Sequence, residues 1–402
     1  MYQLLKFSPH LNSITLLGVT LLLGLIGGEI AKRIYFLPQI FGYIFVGFLI
    51  GSGGFNLINQ SALISTRIFI DISLSLILFE LGRHLDFIWL RHDPSILLMS
   101  IMESALTFVL IYGVLHYVAG MSLMQSSLAS TIAIATSPAV VMMIAYDLSA
   151  EGPVSRRALI LTGLNNLYAL ILFVILMPLT KSDETMKVML STLFRLGGSA
   201  LLGVIMFVIA LLIAKLIGKN KENQFVLYVG IVLSSLGLTH LFNLSSMFSL
   251  FILGVAARNF DTKHILMEIN FGWLARLFFV LLFVVTGIHL RLQGFLSEVW
   301  IVLAFVLLRM LAKIIGIWSC ASISRLTSRQ SFALGFALFP MAGVAIGMSN
   351  VLVDFNPAFG NKLLVIITAA VAVLNIIGPI STQLAFVMTG ESLLLNYREQ
   401  SA

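Results

Sequence analysis

Two short stretches, ATSPAVV at residues 135–141 and FPMAGVAIG at residues 339–347, decide how this chain is read. Each sets a proline inside a long hydrophobic run, and the second adds two glycines. Proline has no N–H to give and clashes with the carbonyl one turn back, so each run is predicted to be an interrupted helix. At membrane depth the carbonyls and amides freed by a break are tolerated only where protein or a water-lined cavity meets them. Matching interruptions in the two halves of a hydrophobic chain are a pointer to a solute site between inverted repeats.

The surroundings agree with that setting. Of 402 residues, 59% are apolar and 10% charged, with a mean hydropathy of +1.05, whereas a soluble domain carries about 25% charged residues. The fold class expected is an all-α polytopic membrane protein. The net charge of +7 would suggest nucleic acid in a soluble protein. Here basic residues near span ends fix orientation instead, and no nucleic-acid partner is expected. A single cysteine, Cys320, excludes disulfides and multi-cysteine metal sites. The histidines His10, His84, His92, His116, His240, His264 and His289 are scattered without metal spacing and no nucleophile motif appears, so an enzyme is not expected. No cofactor is expected, nor a metal beyond a transported cation. The first apolar segment is followed by Lys32-Arg33 and a further apolar run, which reads as a retained span rather than a signal peptide.

Polar and Gly/Pro-rich breaks divide the chain into about 13 segments: 14–32, 36–52, 64–82, 95–118, 123–147, 157–178, 188–214, 224–242, 245–257, 270–290, 296–322, 330–352 and 362–388. Counting Lys and Arg in alternate connections puts 14 on one side and 5 on the other. The basic side is expected to be cytoplasmic, with the N-terminus outside and the C-terminus inside. A bacterial inner membrane is the setting this suggests, with lipid as the surrounding partner.

Ionisable groups inside spans are costly and point to function. They are Glu29, Arg67, Asp71, Glu80, Glu103, Arg195, Arg276, Arg309 and Lys313. Glu29, Glu80 and Arg276 lie near ends and can snorkel. Arg67 and Asp71, four apart, can form a local ion pair. At about 1.5 Å per residue, Glu103 and Asn165 lie about 12 Å deep, Lys313 about 13 Å, and Thr136, Ser137 and Pro340 about 15–17 Å. Five segments therefore bring polar or helix-breaking residues into one layer. Thr136, Ser137, Asn165 and Asn166 are candidate ion or substrate ligands. Glu103, Arg309 and Lys313 are candidates for coupling and charge compensation, and Pro138, Pro340, Gly343 and Gly347 are the predicted helix breakers.

Further stretches carry a family resemblance: LPQIFGYIFVGFLIG at 37–51, LILFELGRHLD at 76–86, TSPAVVMMIAYDLSAEGPVSRRALILTGLNNL at 136–167, GLTHLFNLSSMFSLFILGVAARN at 237–259, and FPMAGVAIG. In order and spacing the chain resembles the membrane domain of the monovalent cation/proton antiporters, second branch, which includes sodium/proton exchangers and glutathione-gated potassium efflux proteins. The resemblance implies an integral domain over 1–392 with core helices at about 95–178 and 296–388 and dimerisation or scaffold helices at about 14–82 and 188–290. It also implies two crossing interrupted helices, elevator-type alternating access and a homodimer. Residues 393–402 are expected to be a short cytoplasmic tail, without the soluble regulatory domain of some relatives.

One position departs from the family pattern. Relatives carry Asn-Asp or Asp-Asp in the sixth segment, where the aspartate exchanges sodium or potassium for protons, and this chain has Asn165-Asn166. An amide does not titrate. Lys313 matches the basic residue of the eleventh segment, Arg309 lies one turn before it, and Glu103 is the carboxylate at similar depth. Glu103 can pair with either cation or act as a surrogate proton carrier. The expected function is Na+ or K+/proton antiport. The alternatives are transport of an anionic or organic solute, since two buried cations bias a site towards negative charge, and a non-transporting membrane sensor or subunit.

Overall fold

A computed structural model describes residues 13–34, 37–51, 54–55, 60–180, 185–261, 265–267, 272–289 and 299–392. The described residues form sixteen α-helices and no strand. In chain order they are α1 (Ser13–Arg33), α2 (Gln39–Ile50), α3 (Gln60–His84), α4 (Phe87–His92), α5 (Ser95–Gly113), α6 (Leu123–Ile134), α7 (Pro138–Asp147) and α8 (Pro153–Leu176). Then follow α9 (Thr185–Ile217), α10 (Lys221–Leu241), α11 (Ser246–Asn259), α12 (Gly272–His289), α13 (Val299–Trp318), α14 (Ser328–Ala337), α15 (Gly343–Phe355) and α16 (Pro357–Met388). A π-helical turn, Val114–Val118, extends α5.

Each predicted segment coincides with one helix or with a broken pair, α6/α7 or α14/α15. Only α4, between the third and fourth segments, was not expected. It is a short helix of 6 residues capped by Asp86, whose carboxylate accepts from the amides of Ile88 and Trp89. Among the described residues, six helical stretches are long and apolar enough to cross a membrane: Ser95–Val118, Leu123–Asp147, Leu193–Ile217, Lys221–Leu241, Val299–Trp318 and Phe359–Met388. In a bilayer every backbone polar group needs an internal partner, and helices supply it within each segment.

The chain divides into two compact units. One comprises residues 1–73 and 273–291. Within it α2 meets both α1 and α12 through glycines: a Cβ on Gly42 would strike the Gly27 backbone, and one on Gly47 would strike the Val284 carbonyl. Between helices in lipid, small residues permit close packing where the hydrophobic effect gives no drive. The side chains of Arg67 and Arg276 lie outside the described residues.

The other unit comprises residues 74–272 and 292–402. In it the same succession occurs twice: a helix, a broken helix, a helix. The first set is α5, α6/α7, α8 and the second is α13, α14/α15, α16. The two sets pack on one another, α5 against α13, α8 against α14, and α16 against α6 and α7. A Cβ on Gly316 of α13 would press on the Glu103 backbone of α5, so this glycine sets how closely the two leading helices approach. Cys320 is buried, as a packed residue. Glu80 does not snorkel alone: it accepts from Arg83 at 3.1 Å and from the Tyr146 hydroxyl at 3.4 Å. Arg195 on α9 is exposed.

Candidate functional site

The two breaks meet. Helix α6 stops at Ile134 and α7 starts at Pro138, leaving residues 135–137 non-helical. In the second set α14 stops at Ala337 and α15 starts at Gly343, leaving 338–342. The Ser137 amide donates to the Pro340 carbonyl at 2.8 Å, and the Thr136 hydroxyl to the Leu338 carbonyl at 3.4 Å. Each break therefore satisfies part of the other. Pro138 occupies the first turn of α7, where its missing N–H costs nothing.

The predicted breakers divide in their roles. Pro340 lies within the second break. Gly343 is the first residue of α15, and Gly347 lies inside α15 with its Cβ direction towards Met247, so neither glycine is in the break. Proline also disfavours helical backbone in the residue before it, here Phe339, and that suffices to interrupt the helix. Glycine only weakens a helix, and helix packing absorbs that cost.

The break carbonyls are met by cations from α13. Arg309, fully buried, donates from Nε to the Ala133 carbonyl at 2.8 Å, from one terminal nitrogen to Phe339 at 2.6 Å and from the other to Ala135 at 2.8 Å. It thus ties the end of α6 to the end of α14. Lys313, one turn later and also fully buried, donates to the Ile134 carbonyl at 2.9 Å and approaches the Thr136 hydroxyl at 3.4 Å. The C-terminal end of a helix carries partial negative charge, and both cations sit at that end of α6.

Glu103 of α5 pairs with Lys313, and both side chains are completely buried. The sequence leaves open which cation Glu103 meets, and the fold decides for Lys313. Arg309 gives three of its five guanidinium donors to the carbonyls of Ala133, Ala135 and Phe339. The Ser104 hydroxyl lies 3.2 Å from Glu103 and has its single proton to give either to it or to Asn165.

Asn165 and Asn166 join this group from α8. The Asn165 amide donates to the Thr136 hydroxyl at 3.3 Å, while its carbonyl oxygen accepts from Ser104 at 3.2 Å and from Ser100 at 3.5 Å. Asn166 donates to the carbonyls of Thr136 at 2.8 Å and Thr162 at 2.9 Å. Its Oδ1, buried, has no hydrogen-bond partner among the described residues. Ser137 contributes its backbone, with no side-chain cap bond. The site therefore unites Thr136, Ser137, Asn165, Asn166, Glu103, Arg309, Lys313 and Pro340.

Ser100 and Ser104 were not singled out from sequence. The signal was there: Ser100, Glu103, Ser104 and Thr107 recur at three- and four-residue spacing and so form one polar stripe on an apolar helix. All four are buried.

Comparisons with known proteins bear on the fold and the family. A model of the family described as sodium/hydrogen exchanger, transmembrane, matches residues 18–387. No curated protein matches the chain in sequence. Among solved structures, the sodium proton antiporter MjNhaP1 from Methanocaldococcus jannaschii at pH 8 superposes with a TM-score of 0.64 at 17% identity, covering 94% of this chain and 95% of that one. A three-dimensional electron-microscopy map of the same antiporter gives a TM-score of 0.66 at 18% identity, over 95% and 96% of the two chains. The structural likeness is one of fold, and the family match spans nearly the whole sequence. The chain belongs to the sodium/hydrogen exchanger family of integral membrane transporters.

Proposed function

We propose that the chain exchanges a monovalent cation, Na+ or K+, for protons, and that the Glu103–Lys313 pair couples the two. The observation that carries this reading is the completely buried ion pair one helix away from the missing aspartate. A cation arriving at the Glu103 carboxylate competes with the Lys313 ammonium for the same charge. Once displaced, a buried ammonium without its partner is strongly disfavoured and gives up its proton. One cation bound then corresponds to one proton released, which is the exchange condition. Asn165, Asn166 and Thr136 supply neutral oxygens around the incoming ion.

The same geometry pairs Lys313 with Glu103 and gives Arg309 only neutral carbonyl partners, so one buried positive charge has no carboxylate opposite it, and that charge is what favours the alternative of an anionic solute. By the family resemblance, the crossing breaks move as one body past the remaining helices, and two copies of the chain associate. The charge asymmetry supports an outside N-terminus and a cytoplasmic C-terminus in a bacterial inner membrane, with the core and scaffold helices divided as the resemblance implies.

The test is proton flux in liposomes carrying a pH gradient, with Na+, K+ and Li+ added in turn, for the wild type beside Glu103→Gln. Flux triggered by a cation and lost in the variant is the expected result. No flux with any cation would overturn the reading and return the non-transporting alternative.

A further inference from the structure

The second set of helices carries a polar residue that the site described above does not use. Asn375 lies in the middle of α16, 1% exposed, and neither its Oδ1 nor its Nδ2 has a hydrogen-bond partner among the described residues. Its chain neighbours Val371 and Leu374 belong to a large buried apolar cluster that also takes in Ile134, Ala135, Met341 and Ala345, so α16 carries this amide through apolar surroundings. Leaving such a group unmet inside a protein is costly.

A second observation concerns the backbone. Residue 379, four positions on, is a proline inside α16, so it has no N–H to offer the Asn375 carbonyl. The Asn375 carbonyl therefore lacks its i+4 amide donor, beside a side-chain amide that is itself unmet. The orientation follows from spacing. Asn375, Gly378 and Thr382, three and four apart, share one face of α16. Gly378 lies against Pro340, where a Cβ would come within 2.8 Å of the Pro340 Cα. The Thr382 hydroxyl lies within reach of the Gly378 carbonyl of its own helix at 3.0 Å and of the Ala337 carbonyl at 3.3 Å. That face therefore abuts the second break.

The two sets of helices are related in this respect. The closing helix of the first, α8, places Asn166 on the first break through the Thr136 carbonyl and leaves its Oδ1 unmet. The closing helix of the second, α16, places Asn375 on the face that covers the second break.

We propose that Asn375 is a binding residue for the transported monovalent cation, supplying oxygen ligands beside the second break as Asn166 does beside the first. The proposal rests on the exchange reading above and adds a ligand from the other half of the molecule. The ligand class is a partly hydrated alkali cation, whose preferred ligands are neutral or anionic oxygens. Oδ1 and the freed carbonyl are two such oxygens, and Nδ2 can hold a water of the ion's shell.

The experiment compares wild type with Asn375→Leu, which keeps the volume and removes the amide, and with Asn375→Asp. In liposomes, Asn375→Leu is expected to raise the KM for Na+, K+ or Li+ on the order of tenfold with kcat little changed, the loss of one charge-assisted contact. In detergent without alkali cations, thermal unfolding of Asn375→Leu should equal or exceed the wild type, because an unmet polar group has been removed. Its Tm should rise on adding NaCl, KCl or LiCl only at about tenfold higher concentration than the wild type requires. Asn375→Asp should lower KM and make it depend on pH. A merely structural amide held by a fixed water predicts the opposite: Asn375→Leu destabilised in every buffer, with an unchanged cation response. That result, or an unchanged KM in a wild-type-like variant, overturns the role of Asn375 and leaves the exchange reading standing. A wild type unresponsive to every cation, in both flux and Tm, would retire both.

Discussion

The amide of Ser137 donates to the carbonyl of Pro340 at 2.8 Å, joining two residues 203 positions apart at the point where both interrupted helices stop. Neither break is stable alone in an apolar medium. Each leaves amides and carbonyls that the other, together with Arg309 and Lys313, has to meet.

Arg309 is accordingly predicted to be a stability determinant. Arg309→Met should strip three buried carbonyls of their donor, at a cost of roughly 1–3 kcal/mol for each acceptor left unmet. Arg309→Lys should recover only part of this, since an ammonium does not span the ends of α6 and α14 as a fork does. Thermal unfolding of detergent-purified protein checks both variants, and Tm values equal to wild type would contradict the assignment.

Glu103 and Lys313 should behave as a coupled pair. Removing one partner leaves a buried charge uncompensated, at a cost of about 3–5 kcal/mol, while replacing both by apolar or neutral residues costs less. In a cycle of Glu103→Gln, Lys313→Met and the double variant, the double is expected to be more stable than either single. Additive effects would show that the pair is not an energetic unit.

Glu391 anchors the start of α8. Its carboxylate accepts from the amides of Val154 and Ser155, each at 2.7 Å, and its own carbonyl accepts from Glu151 at 3.1 Å. Glu391→Ala should lower stability by about 1–2 kcal/mol, the scale of a lost helix cap strengthened by charge. Hydrogen exchange should show the first turn of α8 opening, while Glu391→Asp, one methylene shorter, should be intermediate.

Two carboxylates outside the spans should make stability fall in acid. Partial burial raises the Asp86 carboxyl, but the Arg258 guanidinium at 2.9 Å and the amides of Trp89 and Ile88 outweigh it and hold it below its ordinary 3.8. Burial likewise raises Asp93, and the Ser95 hydroxyl with Arg157 at 2.5 Å outweighs it. A depressed folded-state value contributes stability that is present above the unfolded value and lost as pH falls through the folded one. Unfolding followed from pH 6 downwards should show a loss beginning near pH 4, and Asp86→Asn with Asp93→Asn should flatten that slope.

Chemical identity and local spacing settled much of this protein before any coordinate. Apolar runs fix helices in lipid because no other element satisfies its own backbone there, so the positions of the apolar helices were legible, while the short α4 was not. Pro138 and Pro340 announced the breaks by lacking an N–H. Glu103, Arg309 and Lys313 announced themselves by the cost of charge at depth.

Partnership between distant residues was decided by tertiary structure alone. Glu103 could have met Arg309 or Lys313, which lie one turn apart on α13, and only the approach of α5 at Gly316 selects Lys313. Depth along a span says how far a side chain lies from the membrane surface, but not which way round the helix it points relative to its neighbours. The same limit hid Ser100 and Ser104, whose stripe was visible but whose partner Asn165 was not. It hid Asn375 as well, because an amide in a helix is unremarkable until its face is known to cover a break and to find no partner there. Sequence sets which groups need satisfying, and packing decides which of them are satisfied.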